Sequence, residues 1–210
     1  IYETNQDFYS SKRLLDTTIQ NINAAKIQLS SYHGIQLMVR LGRIYSIFKD
    51  NEEALEWLFM AKNRCDEAAI HDDTYISILQ LIANIYTEKD IFWSRLFIEE
   101  AIEIYKGIYG SMYEQIKRSE GYSLLNTYAY ILQKCRDYYF AENIYRHILK
   151  NCLDSNCIIF TLNNYGGLLS ELGRNTEAIH YYEQLNNLVP DISCMTNLIV
   201  ASVSYTHLRA

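Results

Sequence analysis

Apolar residues in this chain recur at helical spacing, in paired stripes separated by short polar breaks. From Ile158 to Asp191 the sequence reads IIFTLNNYGGLLSELGRNTEAIHYYEQLNNLVPD. Leu162, Tyr165, Gly166 and Leu169 share one face of a first helix, and Gly173-Arg174-Asn175 interrupts it. Ala178, Tyr182 and Leu185 then share one face of a second helix, which Pro190 ends. The spacing predicts a helix, a tight turn and a second helix.

The same order returns upstream. Met38, Leu41, Gly42 and Tyr45 are followed by Ala54, Leu58 and Ala61. Asp50-Asn51 offers a cap for that second helix, with Glu53 placed for a capping box on Asp50. Leu79, Ile82, Ala83 and Tyr86 precede Ser94, Ile98 and Ala101, with a turn one residue shorter around Lys89-Asp90 and Asp90 as its cap. That second helix is expected to run through Ile104-Tyr105 and end near Gly107 or Gly110. Leu125, Tyr128, Ala129 and Leu132 precede Ala141, Tyr145 and Ile148, with Arg136-Asp137 as the turn. Phe8, Ser11, Leu15 and Thr18 mimic a second-helix pattern with no first helix before it. The small residue opening each second-helix pattern is Ser11, Ala54, Ser94, Ala141 or Ala178, so the steps are 43, 40, 47 and 37 residues.

The order of large-apolar and small residues in the first helix, Gly in the turn, small and aromatic residues in the second helix and then Pro resembles the tetratricopeptide repeat (TPR). Leu185 departs from the pattern, since the family usually has Ala there. The unequal steps exclude a strict array of about 34 residues per repeat. The phrase EEAIEIYKGIYG is similar to the longer repeats of kinesin light chains and many bacterial TPR proteins, in which a YG-type segment precedes an extended linker. Residues 107–120 would be that linker. The expected fold is therefore all-α, a right-handed superhelical α-solenoid of antiparallel helix hairpins. One solenoid is expected over residues 1–201. It comprises a partial repeat at 1–34, repeats at 35–68, 76–110, 122–155 and 158–191, and the start of a further helix at 192–201. The octapeptide VSYTHLRA at 203–210 resembles the translation of a transposon-end sequencing adapter. Residues 202–210 are accordingly expected to be a non-native tail, with the native protein continuing beyond.

In a TPR array the first helices line a concave groove. The resemblance places in it Gln36, Arg40, Arg43 and Ser46, then Gln80, Asn84 and Thr87. Asn126, Tyr130, Gln133 and Lys134 follow, and Asn163, Asn164 and Ser170 complete the set. Amides both donate to and accept from a peptide backbone, and Tyr130 would be an apolar anchor. A protein or peptide partner is expected, held as on an interaction scaffold. The alternative is the regulatory or sensor region of a larger bacterial protein, with a caspase-like peptidase, sensor kinase or DNA-binding domain outside this stretch. The carboxylate clamp of chaperone-tail adaptors is not supported. Its positions hold Val39, Arg43, Leu81, Ser123 and Thr127, of which only Arg43 is basic.

Composition narrows the alternatives. Hydrophobic residues at 49% and charged residues at 21% do not describe a disordered chain. One proline and eight glycines in 210 residues favour helices over turn-rich sheets. A net charge of −6 with scattered basic residues argues against nucleic-acid binding. The 19 tyrosines suit large interhelix positions from which a hydroxyl can stay wet. Five cysteines, Cys65, Cys135, Cys152, Cys157 and Cys194, are odd in number and irregularly spaced, as expected of buried thiols in a reducing, cytoplasmic setting. His147, Cys152 and Cys157 lie close in sequence, but no CxxC pair or fourth ligand accompanies them, so no metal is expected. No stretch of 18 apolar residues could span a membrane. There is no nucleotide loop, zinc helix, Ser elbow or Cys/His pair in a credible context, so neither an enzyme nor a cofactor is expected.

Overall fold

The structure, a computed structural model, describes residues 32–110 and 119–190, together with Thr17. The partial repeat at 1–34, most of the expected linker, the further helix at 192–201 and the tail at 202–210 lie largely or wholly outside these residues. Eight helices run between Tyr32 and Leu188, and no strand occurs among the described residues. In chain order they are α1 (Tyr32–Ile47), α2 (Asn51–Glu67), α3 (Asp73–Lys89), α4 (Ile91–Tyr109), α5 (Ser119–Lys134), α6 (Tyr138–Asn151), α7 (Ser155–Glu171) and α8 (Asn175–Leu188). The chain divides into two compact units, Ile1–Ile85 and Tyr86–Ala210, with the boundary inside α3. In the first unit α1 packs on α2. In the second, α5 packs on α6, α7 on α8, and α4 and α6 each pack on the first helix that follows.

Two of the hairpins close on a glycine facing a large side chain. A Cβ built on Gly42 would lie 2.6 Å from Leu58 Cγ, and one on Gly166 would lie 2.6 Å from Tyr182 Cε1. Glycine leaves room for these large side chains to lie directly against the backbone of the first helix. Ala54, Ala83, Ala101, Ala129, Ala141 and Ala178 are fully buried at the matching small positions. Ser94 is buried in the same role, and its hydroxyl lies 3.0 Å from that of Thr87.

Three of the hairpin turns share one geometry. Lys49, Arg136 and Gly173 each take a left-handed conformation, with φ of 60°, 65° and 72°. The next residue's N–H reaches back to the carbonyl five residues earlier: Asp50 to Tyr45 (3.0 Å), Asp137 to Leu132 (2.9 Å) and Arg174 to Leu169 (2.9 Å). These are Schellman closures, which satisfy carbonyls that a helix end would otherwise leave bare. The α3–α4 turn differs. Asp90 alone separates the two helices, in extended backbone, and its carboxylate accepts from Phe92 N–H at 3.0 Å. Asp154 caps α7 in the same way through Asn156 N–H, at 3.0 Å.

The capping box expected at Asp50 does not form. Asp50 is the residue before α2, but its side chain makes no capping bond. Its N–H is already committed to Tyr45, and its ψ of 72° falls short of the 103° and 117° at Asp90 and Asp154. Glu53 instead meets the Asp50 side chain, and that contact raises the Glu53 pKa. The expected linker also begins later than residue 107, because α4 continues to Tyr109 and Gly110 caps it with φ 84°.

The most deeply buried tyrosine hydroxyls are paired inside the fold rather than wet. Tyr75 donates to Asp66 Oδ1 at 2.7 Å, Tyr145 to Gln133 Oε1 at 3.3 Å and Tyr165 to Glu142 Oε1 at 3.0 Å. Burial drives the Tyr145 pKa strongly upward and pushes that of Tyr165 up to about 12, so both hydroxyls stay protonated donors.

Candidate functional site

Residues three and four apart on the first helices α1, α3, α5 and α7 face away from the hairpin cores, and the expected groove positions fall there with uneven results. In the first unit, Arg40, Arg43 and Asn84 are exposed, while Gln36 and Gln80 are half-buried. Arg43 Nη2 donates to Ser77 Oγ at 3.3 Å, joining α1 to α3. Together with Gln36, Val39, Arg40, Asp73 and Thr74, these two residues line a cleft of about 280 Å³. Tyr32 OH lies 2.8 Å from the Oγ1 of the lining residue Thr74 and donates to Asp72 Oδ2 at 3.2 Å. Asp72 caps α3, since its Oδ1 accepts from Thr74 N–H at 2.8 Å and from Tyr75 N–H at 3.3 Å.

In the second unit, Asn163 is exposed, and Asn126, Tyr130 and Asn164 are half-buried. Thr161 Oγ1 shares its proton between the Cys157 carbonyl, at 2.7 Å, and Asn126 Oδ1, at 3.2 Å, so part of that amide is engaged between α7 and α5. Lys134 Nζ sits 5.1 Å from the centroid of the Tyr130 ring. Gln133, expected in the groove, lies in the core instead. It is only 4% exposed, and its amide oxygen accepts from the buried Tyr145. A polar residue next to an exposed lysine looked like groove, but the fold uses it to satisfy a core hydroxyl.

Two residues outside the expected set stand on the same helices. Phe160, on α7, is 64% exposed. Ser77 lines the cleft of the first unit. Each stands three residues before an expected groove amide, Asn163 or Gln80, and so one helical turn earlier on the same face. That spacing was available in the sequence.

The second helices carry ion pairs between hairpins. Arg95 of α4 donates to Asp137, the residue before α6, at 2.9 Å. At the next junction Glu142 of α6 accepts from Arg174, the residue before α8, at 2.8 and 3.0 Å. Arg95 follows the small residue Ser94 as Glu142 follows Ala141, so the positions correspond and the signs are reversed. Glu142 also pairs with Arg146 at 2.6 Å, and Arg146 Nε donates to Tyr165 OH at 2.9 Å. No group of three or more His, Cys, Asp or Glu side chains gathers as a metal site among the described residues. No described helix is long and apolar enough to cross a membrane.

Paired antiparallel helices with small–large contacts and repeated turns define a TPR-like helical repeat fold. No family model matches the chain by sequence, and no curated protein does. Solved structures are similar to it. BtubC (BKLC) from P. vanneervenii superposes with a TM-score of 0.66 at 16% identity, over 94% of this chain and 82% of that one. NprR in complex with its cognate peptide NprX gives 0.69 at 17% identity, over 96% of this chain and 60% of that one. The apo quorum sensor NprR from B. thuringiensis gives 0.70 at 16% identity, over 96% and 58%. The chain thus spans about three fifths of the NprR chains.

Proposed function

We propose that this protein is a peptide- or protein-binding module, and that the first-helix faces of each unit hold the partner. The observation that carries the reading is the placement of exposed Asn84, Asn163 and Phe160 and half-buried Tyr130 on these faces, away from the hairpin cores. Amides and aromatics are the residues that hold an extended peptide, through backbone hydrogen bonds and apolar anchors. The fold likeness to NprR, solved with its cognate peptide, supports the same reading.

The test begins with a partner recovered by pull-down with the full-length protein. Asn84→Ala and Asn163→Ala should each weaken its binding by about 0.5–1.5 kcal/mol, the usual net worth of a hydrogen bond. Tyr130→Ala and Phe160→Ser should weaken it more, by 2 kcal/mol or so, as anchors do. The second helices expose aromatics of their own, Tyr139 at 73% and Phe140 at 61% on α6. If all four first-helix variants bind as the parent does and Tyr139→Ser/Phe140→Ser abolishes binding, the partner sits on the second helices and the proposal is wrong.

A further inference from the structure

We propose that the second helices of the second unit carry a surface that pairs this chain with a second copy of itself, Phe92 and Trp93 of one copy meeting Tyr139 and Phe140 of the other. This surface is separate from the first-helix faces proposed to hold the partner. Helices α4 and α6 each open on an aromatic couple, Phe92-Trp93 and Tyr139-Phe140, placed just before the small residues Ser94 and Ala141. All four rings stand in solvent: Phe92 is 67% exposed, Trp93 45%, Tyr139 73% and Phe140 61%. Leu96, one turn on from Phe92 and Trp93, is exposed beside them. The fold does not need aromatics at this place. There α2 carries Glu52-Glu53 and α8 carries Thr176-Glu177, all exposed, so a solvated helix start serves as well.

Three features of the patch fit a second copy. The rings within each couple meet edge to face, both at an interplanar angle of 78°. Each couple therefore leaves one ring face and one ring edge for another couple to complete. A contact across a two-fold axis sets one half of a patch against the other half of its copy, twice over. The patch has two such halves, at equivalent positions of successive hairpins, and Arg95 of α4 ties one to the other by donating to Asp137 at 2.9 Å. Arg95 also donates to Glu99 at 2.8 Å, so its charge is matched within the chain and does not face its own copy bare. The area is of the right order. The four rings, each with ~150–250 Å² of surface and 45–73% exposed, offer roughly 400–600 Å². One side of a standard interface supplies ~800 Å², so the rings alone reach about half of it or more, and Leu96 adds to them.

The experiment is sedimentation velocity of the full chain at rising protein concentration, with no partner added. Monomers and dimers should exchange, the dimer gaining as concentration rises. Phe92→Lys and Tyr139→Glu should each weaken the dimer about tenfold or more, as loss of an aromatic anchor does. Circular dichroism should stay unchanged, because both side chains are exposed. Mixing the two variants should restore dimers. The new ammonium of one then meets the new carboxylate of the other, while the remaining Phe92 and Tyr139 still pair. A parent that stays monomeric at every concentration overturns the proposal. So does a parent dimer that both variants leave intact, since the contact then lies elsewhere. Variants that weaken the dimer but do not recover on mixing overturn the crosswise pairing. A monomeric parent that sediments with phosphatidylcholine vesicles, and ceases to with Phe92→Lys, assigns the patch to a lipid surface and overturns the proposal too. Partner binding by the first-helix variants judges the peptide reading separately.

Discussion

Adjacent glycines in α7 should respond to the same substitution with opposite signs. A Cβ on Gly166 meets the buried Tyr182 ring at 2.6 Å, whereas one on Gly167 finds only the Tyr182 hydroxyl at 3.8 Å. Gly166→Ala therefore overpacks the hairpin and is expected to destabilise by about 1–3 kcal/mol, and Gly166→Leu by more. Gly167→Ala meets no obstacle and should stabilise by about 0.8–1 kcal/mol, the helix-propensity difference. Chemical denaturation of the two Ala variants decides it, and equal effects would show that the close approach is not what glycine is there for. The turn residues allow a second comparison. Lys49 and Arg136 hold the left-handed conformation that Gly173 adopts freely. That conformation costs an L-residue roughly 1–2 kcal/mol, and glycine's extra unfolded-state freedom offsets about 0.5–1 of it. Lys49→Gly and Arg136→Gly should each raise stability by about 0.5–1 kcal/mol, the difference between these terms, and a fall in the denaturation midpoint of both would refute this.

At the scale of the element, the two inter-hairpin ion pairs should differ in strength. Glu142 accepts from Arg174, Arg146 and Tyr165, and its side chain is 16% exposed. Asp137 holds one arginine, with both side chains about 40% exposed. Glu142→Gln should destabilise by about 1.5–3 kcal/mol, the range for hydrogen bonds to a charged group. Asp137→Asn should stay within the 0.2–1 kcal/mol of an exposed pair. Repeating the denaturation in about 1 M salt, where the screening length falls to roughly 3 Å, should abolish the Asp137 effect and spare most of that at Glu142. Equal salt sensitivity would mean that the Glu142 cluster is as wet as the other. The hairpins themselves were legible in the sequence, because Gly42 with Leu58 and Gly166 with Tyr182 declare themselves by residue size. The Asp50 capping box was not excluded by sequence, because residue type names a cap while ψ decides whether the carboxylate can reach.

For the whole molecule, what could be read from sequence was the packing, and what escaped it was the division of polar residues between core and open face. Gln133 looks like Asn84 or Asn163 on paper, yet a buried tyrosine hydroxyl needs it. Asn126 is shared between a neighbouring helix and the open face for a similar reason. The reversed ion pairs along the second helices bear on how the chain could have gained or lost hairpins. Recombination between repeats lengthens or shortens an array by whole modules. Losing the α5–α6 hairpin would bring Arg95 opposite Arg174, and copying it in tandem would bring Glu142 opposite Asp137. Either event sets like charges at a junction that now holds opposite ones. Neutral junctions would tolerate such changes of copy number, whereas this one penalises both directions, so the sign reversal fixes the order of the modules as well as joining them.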